Sequence, residues 1–152
     1  MCLILDINIV HLVFPQPARD YMPIHKAITD RRARLVYGGH LLREYKQMGK
    51  FLHLLYRLDQ QGTARKVNDN TVDLETQNLV GSGLCVSNDL HIIALARISG
   101  ARLLCTDDGN LKKDFKNPAL VSNPRGKIYQ RQTHADLIRT SCKHVQTASR
   151  KR

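Results

Sequence analysis

Apolar and polar residues fall into short blocks along the chain, and these blocks predict strands and helices in turn. Residues 3–10 form a short, β-branched apolar run, which is typical of a buried strand whose polar members Asp6 and Asn8 come toward its end. Four further short stretches predict strands at residues 34–37, 64–67, 101–105 and 127–129.

Apolar residues three and four positions apart predict helices between these strands. The clearest stripe, Leu41, Tyr45, Met48, Leu52 and Leu55, predicts one helix over residues 40–58. Other helical patterns start near residue 24, cover 70–80, run over 88–99 between a Ser87 cap and Gly100, and recur at 111–115 and from about 133. The alternation of strand and helix favours an α/β domain with a mostly parallel central sheet.

The composition is that of a globular chain, with 152 residues, 42% apolar and 24% charged. The longest N-terminal apolar run is interrupted by polar residues and lacks a basic leader, so we expect neither a membrane span nor a signal peptide. Four widely separated cysteines without a C-x-x-C pair argue against a zinc knuckle and against a disulfide-stapled secreted fold. We therefore expect a reduced, cytoplasmic protein.

The positive charge is unevenly distributed along the chain. The net charge is +11; residues 24–66 hold ten bases against three acids, and residues 125–152 hold eight against one. The rest of the chain is slightly acidic. A strongly basic chain with this segregation favours a polyanionic partner, most simply a nucleic acid, although single basic residues are equally typical of a solvated surface.

Several acids stand where a parallel sheet gathers functional groups. Asp6 closes the first strand and Asp107 and Asp108 follow the fourth, so two strands deliver carboxylates to one edge of the sheet. Glu44 lies beside an apolar helical stripe, where a charged side chain needs a basic neighbour or a cation. Asp89 opens a helix, and helix capping alone would explain it. Each acid taken singly is explained more simply by a structural role, whereas together they indicate a site.

These motifs, in this order and context, resemble the PIN-domain family of metal-dependent ribonucleases over about residues 3–129. The motifs that carry the resemblance are Asp6-Ile7-Asn8, Arg43-Glu44-Tyr45, the helix beginning at Asp89, and Thr106-Asp107-Asp108. The resemblance implies a Rossmann-like three-layer α/β/α sandwich, with residues 1–130 as the nuclease domain and 131–152 as a basic C-terminal helix and tail of the same domain. It also implies a Mg²⁺ or Mn²⁺ site and RNA as the substrate.

Carried over position by position, the resemblance gives the catalytic and metal-binding carboxylates as Asp6, Glu44, Asp89 and Asp108. Asp6 and Asp108 would bind the ion directly, and Glu44 and Asp89 directly or through water. Asn8 and Thr106 would hydrogen-bond the ligands, while Asp107 could share or take over the role of Asp108. Carboxylates suit this chemistry because Mg²⁺ is a hard cation that prefers oxygen ligands, and a cluster of acids repels itself unless a cation neutralises it.

Basic residues near these acids would hold the phosphate backbone of RNA, and those best placed are Arg43, Lys112 and Lys113. Aromatic residues make up only 5% of the chain, without Trp, so recognition should depend on shape and backbone more than on base stacking. The predicted function is an endoribonuclease, either a toxin of a toxin–antitoxin pair or a stand-alone RNA-processing or defence nuclease. An antitoxin or another regulatory protein, and a second copy of the chain, are the protein partners that this prediction allows.

Two other functions compete with this prediction. One is a non-catalytic RNA-binding or scaffold module on the same fold, which the presence of all four acids disfavours. The other is a phospho-acceptor signalling domain, which would need an acidic pair after the first strand, where Asp6 stands alone.

Overall fold

The computed structural model describes residues 2–139, in which five parallel strands form one sheet flanked by helices. The strands are β1 (Cys2–Leu5), β2 (Arg34–Tyr37), β3 (Ala64–Lys66), β4 (Leu103–Cys105) and β5 (Lys127–Ile128). Their order across the sheet is β3-β2-β1-β4-β5. The predicted α/β class and parallel sheet are confirmed, and the arrangement is a Rossmann-like three-layer sandwich.

Seven α-helices connect the described strands. They are α1 (Val10–Val13), α2 (Met22–Thr29), α3 (His40–Tyr45), α4 (Gly49–Gln60), α5 (Asp69–Ser82), α6 (Leu90–Ser99) and α7 (Gly109–Lys116). Short 3₁₀ helices cover Arg19–Tyr21 and Gln132–Arg139. The second of these packs against α2, which ties the predicted C-terminal segment to the domain as far as residue 139.

The core lies on both sides of the central strand β1, all four residues of which are buried. Leu3 pairs with Leu35 on one side and with Leu103 on the other. A strand covered on both faces requires an almost continuous apolar run. Such a run is what predicts β1 from the sequence. Helix α6 is similarly buried over most of its length, so the helix that follows Asp89 is anchored in the core.

The predicted helix over residues 40–58 is wrong as a single element, because α3 ends at Tyr45 and α4 begins at Gly49. Tyr45 and Phe51 are both buried, and their rings meet edge to face with centroids 4.9 Å apart. In one continuous helix, two residues six positions apart would point roughly 240° apart around the axis. Both rings can therefore enter the core only if the helix breaks between them, and Gly49 is a poor helix former that eases the break.

Other predicted boundaries also shift. The first strand ends at Leu5 rather than at residue 10, and α1 begins at Val10, since the chain turns after Asp6. The fourth strand begins at Leu103 rather than at residue 101. The predicted basic helix from about residue 133 is a 3₁₀ helix as far as Arg139, and the rest of that prediction lies outside the described residues.

The Gly38–Gly39 pair makes the turn between β2 and α3. Gly39 has φ of 60°, and a Cβ there would approach Val72 Cγ1 to 2.8 Å. Its N–H donates to Asp69 Oδ1 at 2.8 Å. A glycine is thus required by both backbone and space, which agrees with a turn role for this pair.

The expectation of a fully reduced chain is wrong at Cys2, which is disulfide-bonded, whereas Cys85 and Cys105 are free thiols. Within residues 2–139, every helix is too short or too polar to cross a bilayer.

Candidate functional site

The carboxyl ends of β1 and β4 form the centre of the candidate site. The order of the strands reverses between these two neighbours, and open parallel sheets bind ligands in the crevice at such a point. The Asp6 N–H donates to the Cys105 carbonyl at 3.0 Å, so the two strand ends are locked side by side. Asp6 and the segment Thr106–Asp108 therefore emerge together at this edge.

Asp6 is a buried carboxylate held by two donors. It is 2% exposed, and it accepts hydrogen bonds from Thr106 Oγ1 at 2.7 Å and from the Ile7 N–H at 2.8 Å. Burial raises the pKa of Asp6, the two hydrogen bonds lower it, and the charges of Asp89 and Asp108 raise it further, with a net upward shift. The expected hydrogen bond between Thr106 and a site carboxylate is present.

Asp89 and Glu44 reach the same crevice from α6 and α3. Burial and the neighbouring Asp108 raise the pKa of Asp89, and the two carboxyl groups are close enough to share a hydrogen bond when one is protonated. Burial also raises the pKa of Glu44, with Asp6 and Asp89 adding to the rise and His40 opposing it. Asp6, Glu44, Asp89 and Asp108 thus form one group of mutually repelling carboxylates, called here the acidic cluster.

The structure distinguishes Asp108 from its neighbour Asp107. The backbone N–H of Asp108 donates to Thr106 Oγ1 at 3.1 Å, and its Oδ1 caps α7 by accepting from the N–H groups of Asn110 and Leu111. Asp107 is exposed, and its charge acts on Tyr21 instead. Of the two residues, Asp108 is therefore the one whose charge acts on Asp6 and Asp89, and it is the member of the cluster.

Two histidines that the sequence did not single out lie against the cluster. His91 is buried, and burial first, then His40 and Arg43, lower its pKa to about 4. The ring is therefore neutral at pH 7, and its contact with Glu44 is a hydrogen bond from Nε2–H to Oε1 at 3.2 Å rather than an ion pair. The exposed His40 ring meets His91 edge to face at 4.7 Å. A local sequence motif cannot reveal this contact, because His91 and Glu44 are 47 residues apart in the chain.

Asp114 of α7 is a second group that the sequence did not reveal. It is 2% exposed and accepts hydrogen bonds from the N–H groups of Val86 at 3.0 Å and Ser87 at 2.9 Å. Ser87 Oγ in turn accepts from the Asp89 N–H at 2.8 Å. The predicted Ser87 cap is displaced, since Asp89 itself precedes α6, and Asp114 fixes the segment that presents Asp89.

The predicted RNA-contacting bases differ in their surroundings. Arg43 is exposed, but its Nη2 pairs with Asp73 Oδ2 of α5 at 2.6 Å. Lys113 is exposed and Lys112 half-buried, both in the helix that begins just after Asp108. Among the described residues, Arg43 is thus engaged in an ion pair, whereas neither lysine is.

Asn8 does not behave as expected from the resemblance. Its Oδ1 is buried without a hydrogen-bond partner among the described residues. A buried carbonyl oxygen left unpaired is costly unless another group satisfies it. Asn8 lies in the turn after β1, two residues from Asp6, so its side-chain oxygen is an unpaired acceptor at this edge of the sheet.

The donor set of the cluster matches a hard divalent cation in its chemistry. All four side chains offer carboxylate oxygens, and their mutual repulsion is what a cation relieves. Within residues 2–138, however, no three Asp, Glu, His or Cys side chains already stand in positions that could hold a metal ion. The four carboxylates thus offer the ligand chemistry of a hard cation, but in this structure they do not stand as a ready-made metal site.

Comparison of the chain with family models, with curated proteins and with solved structures gives no match.

Proposed function

We propose that the protein is a divalent-metal-dependent endoribonuclease that hydrolyses RNA phosphodiester bonds, either of the toxin type or as a stand-alone RNA-processing or defence nuclease. The observation that carries the proposal is the acidic cluster, at the switch point of a parallel sheet, in a chain of net charge +11. The resemblance of the four sequence motifs to those of PIN-domain ribonucleases supports the same conclusion.

In this proposal Asp6 and Asp108 hold Mg²⁺ or Mn²⁺ directly, and Glu44 and Asp89 hold it directly or through water. The ion would offset negative charge on the phosphoryl oxygens and make water a better nucleophile at neutral pH. The chain's own groups keep the carboxylates in position. Thr106 orients Asp6 through its 2.7 Å hydrogen bond, and the neutral ring of His91 orients Glu44.

The basic surface would attract RNA through its phosphates. Lys112 and Lys113 lie in the helix that Asp108 caps, so a backbone phosphate held by either is near the cluster. Binding of this kind weakens steeply as salt rises, because counterions compete for the phosphates.

Incubation of the purified chain with end-labelled RNA tests the proposal. We expect cleavage with Mg²⁺ or Mn²⁺ and none with EDTA. Asp6→Asn and Asp89→Asn should each lower the cleavage rate by at least about 100-fold while circular dichroism remains unchanged. The matched control is Asp107→Asn, an exposed acid beside the cluster, which should cleave as the wild type does. Equal cleavage by all four proteins would refute the assignment.

A second candidate is a non-catalytic RNA-binding or scaffold module. It is favoured by the lack, within residues 2–138, of a ready-made group that could hold a metal ion. Such a module would bind labelled RNA at low salt without cutting it, with or without Mg²⁺. Absence of both cleavage and low-salt binding would dispose of both functions.

A further inference from the structure

An apolar cavity lies apart from the acidic cluster, between α1, α2 and α4. It has a volume of about 700 Å³, and none of the four cluster carboxylates lines it. This volume is within the range of roughly 300–1,000 Å³ that is typical of small-molecule sites. Its apolar walls are formed by Val10, Phe14, Met48, Phe51, Leu54 and Leu58.

The floor of this apolar cavity is held by ring packing. The Phe14 ring lies 5.2 Å from the His25 ring and 5.8 Å from the Phe51 ring, centroid to centroid. His25 Nδ1 donates to the Val13 carbonyl at 2.9 Å, which fixes the imidazole between α1 and α2. The hollow is therefore pre-formed by aromatic side chains that already have partners, and a ligand would not need to order them.

Charge distinguishes the mouth of the cavity from an ordinary apolar depression. Lys50 and Arg57 line it and are exposed, with His11 beside them. None of the described lining residues is acidic. Neither Lys50 nor Arg57 makes an ion pair within the described residues, in contrast with Arg43 and Arg97, which pair with Asp73 and Glu75. In the part of the chain that the structure describes, the positive charge at the mouth is thus left without an acidic partner.

We propose that this cavity binds a long-chain carboxylate, a ligand of the fatty-acid class. An unbranched acyl chain would cover the apolar walls, and its single carboxylate would meet the uncompensated bases at the mouth. The planar guanidinium of Arg57 matches a carboxylate in a two-bond contact, and Lys50 adds a second charge. A nucleic acid would leave the apolar walls unused, whereas a neutral apolar ligand would leave the bases unused. The site is independent of the proposed nuclease activity.

Calorimetric titration of the full chain with dodecanoate, below the concentration at which it forms micelles, tests this proposal. We expect saturable binding of one molecule per chain. Dodecanol has the same chain without the charge and should bind at least about tenfold more weakly, since it loses the charge-assisted hydrogen bonds. Equal binding of the two ligands would refute the role of the bases, and no saturable binding of dodecanoate would overturn the proposal.

Surface variants locate the binding to this cavity. The double change Lys50→Gln with Arg57→Gln should weaken dodecanoate binding at least about tenfold. Arg131→Gln removes an exposed base outside the cavity and should leave binding unchanged. Asp6→Asn should also bind dodecanoate as the wild type does, so failure of the nuclease proposal leaves this result unaffected. Retained binding in the double variant would place the ligand elsewhere and contradict the proposal.

Discussion

The acidic cluster and the apolar cavity are two regions of one small fold, built in opposite ways. The cluster gathers carboxylates from four places far apart in the chain, and hydrogen bonds from Thr106 and His91 hold two of them. The cavity is lined by α1, α2 and α4 and held by packed rings. In the cluster, the charges of Asp6, Glu44 and Asp89 oppose the folded state, because burial and neighbouring acids raise the pKa of each carboxyl group, whereas in the cavity each ring favours the folded state through burial. Removing a group should therefore have opposite effects on stability in the two regions.

The largest effect is expected from truncating the cavity wall. Phe51 is 5% exposed and contacts both Phe14 and Tyr45, so Phe51→Ala removes a central ring of the packing. We expect a loss of about 4 kcal/mol in the free energy of unfolding, measured by urea denaturation. Phe51→Leu, which keeps most of the volume, should lose clearly less. A loss no greater for alanine than for leucine would show that the ring does not support this wall.

The next largest effect is expected at Asp114, which belongs to the polar region but, unlike the cluster, has its charge satisfied. Asp114→Ala leaves the N–H groups of Val86 and Ser87 without their acceptor, and we expect a loss of about 3 kcal/mol in the free energy of unfolding. Asp107→Ala, at an exposed acid, should change it by no more than about 0.5 kcal/mol. Equal effects of the two changes would contradict the role assigned to Asp114.

Asp6→Asn should act in the opposite direction and raise stability at pH 7. Burial and the neighbouring acids raise the folded-state pKa of Asp6 above its ordinary value of 3.8. The stabilisation this group contributes is therefore complete below the unfolded pKa and is lost as pH rises through the folded pKa. The variant should unfold at higher urea concentration than the wild type at pH 7, with a smaller difference near pH 4. Lower stability of the variant at pH 7 would show that the Thr106 hydrogen bond outweighs the repulsion.

The smallest effect is expected at Arg43, which lies near the cluster but pairs with Asp73. Arg43→Gln should leave the free energy of unfolding nearly unchanged, because exposed ion pairs contribute little.

In RNA binding measured over a series of salt concentrations, Lys113→Gln should reduce the slope of log affinity against log salt by about one phosphate contact. Arg43→Gln should reduce it less. The reverse order would indicate that RNA breaks the Arg43–Asp73 pair.

All five predicted strands are present, although their bounds shift. The central strands β1, β2 and β4 are buried over most of their length, so an apolar run predicts them directly. The edge strands β3 and β5 carry the exposed Lys66 and Lys127, so burial alone does not mark them. The break between α3 and α4 was not readable, since it depends on Tyr45 and Phe51 meeting in the core. The spacing of apolar residues shows which face of a helix is buried. It does not show where one helix ends and the next begins in a new direction.

Part of the candidate site could likewise be predicted from the sequence, and part of it could not. The convergence of Asp6, Asp89 and Asp108 follows from strand ends and helix starts, which sequence patterns mark. The choice between Asp107 and Asp108 does not, because both follow β4 and only the geometry of the α7 cap separates them. His91 and Asp114 act through contacts that cross 47 and 27 to 28 residues, and no local pattern encodes them.

The two carboxylate oxygens of Asp108 have different roles. Oδ1 is committed to the start of α7, so only Oδ2 is left to serve the crevice. An asparagine at this position could keep its carbonyl on the helix and present an amide in place of the second oxygen. Exchange of a single atom would therefore remove one of the four carboxylates of the cluster and leave the cap of α7 in place.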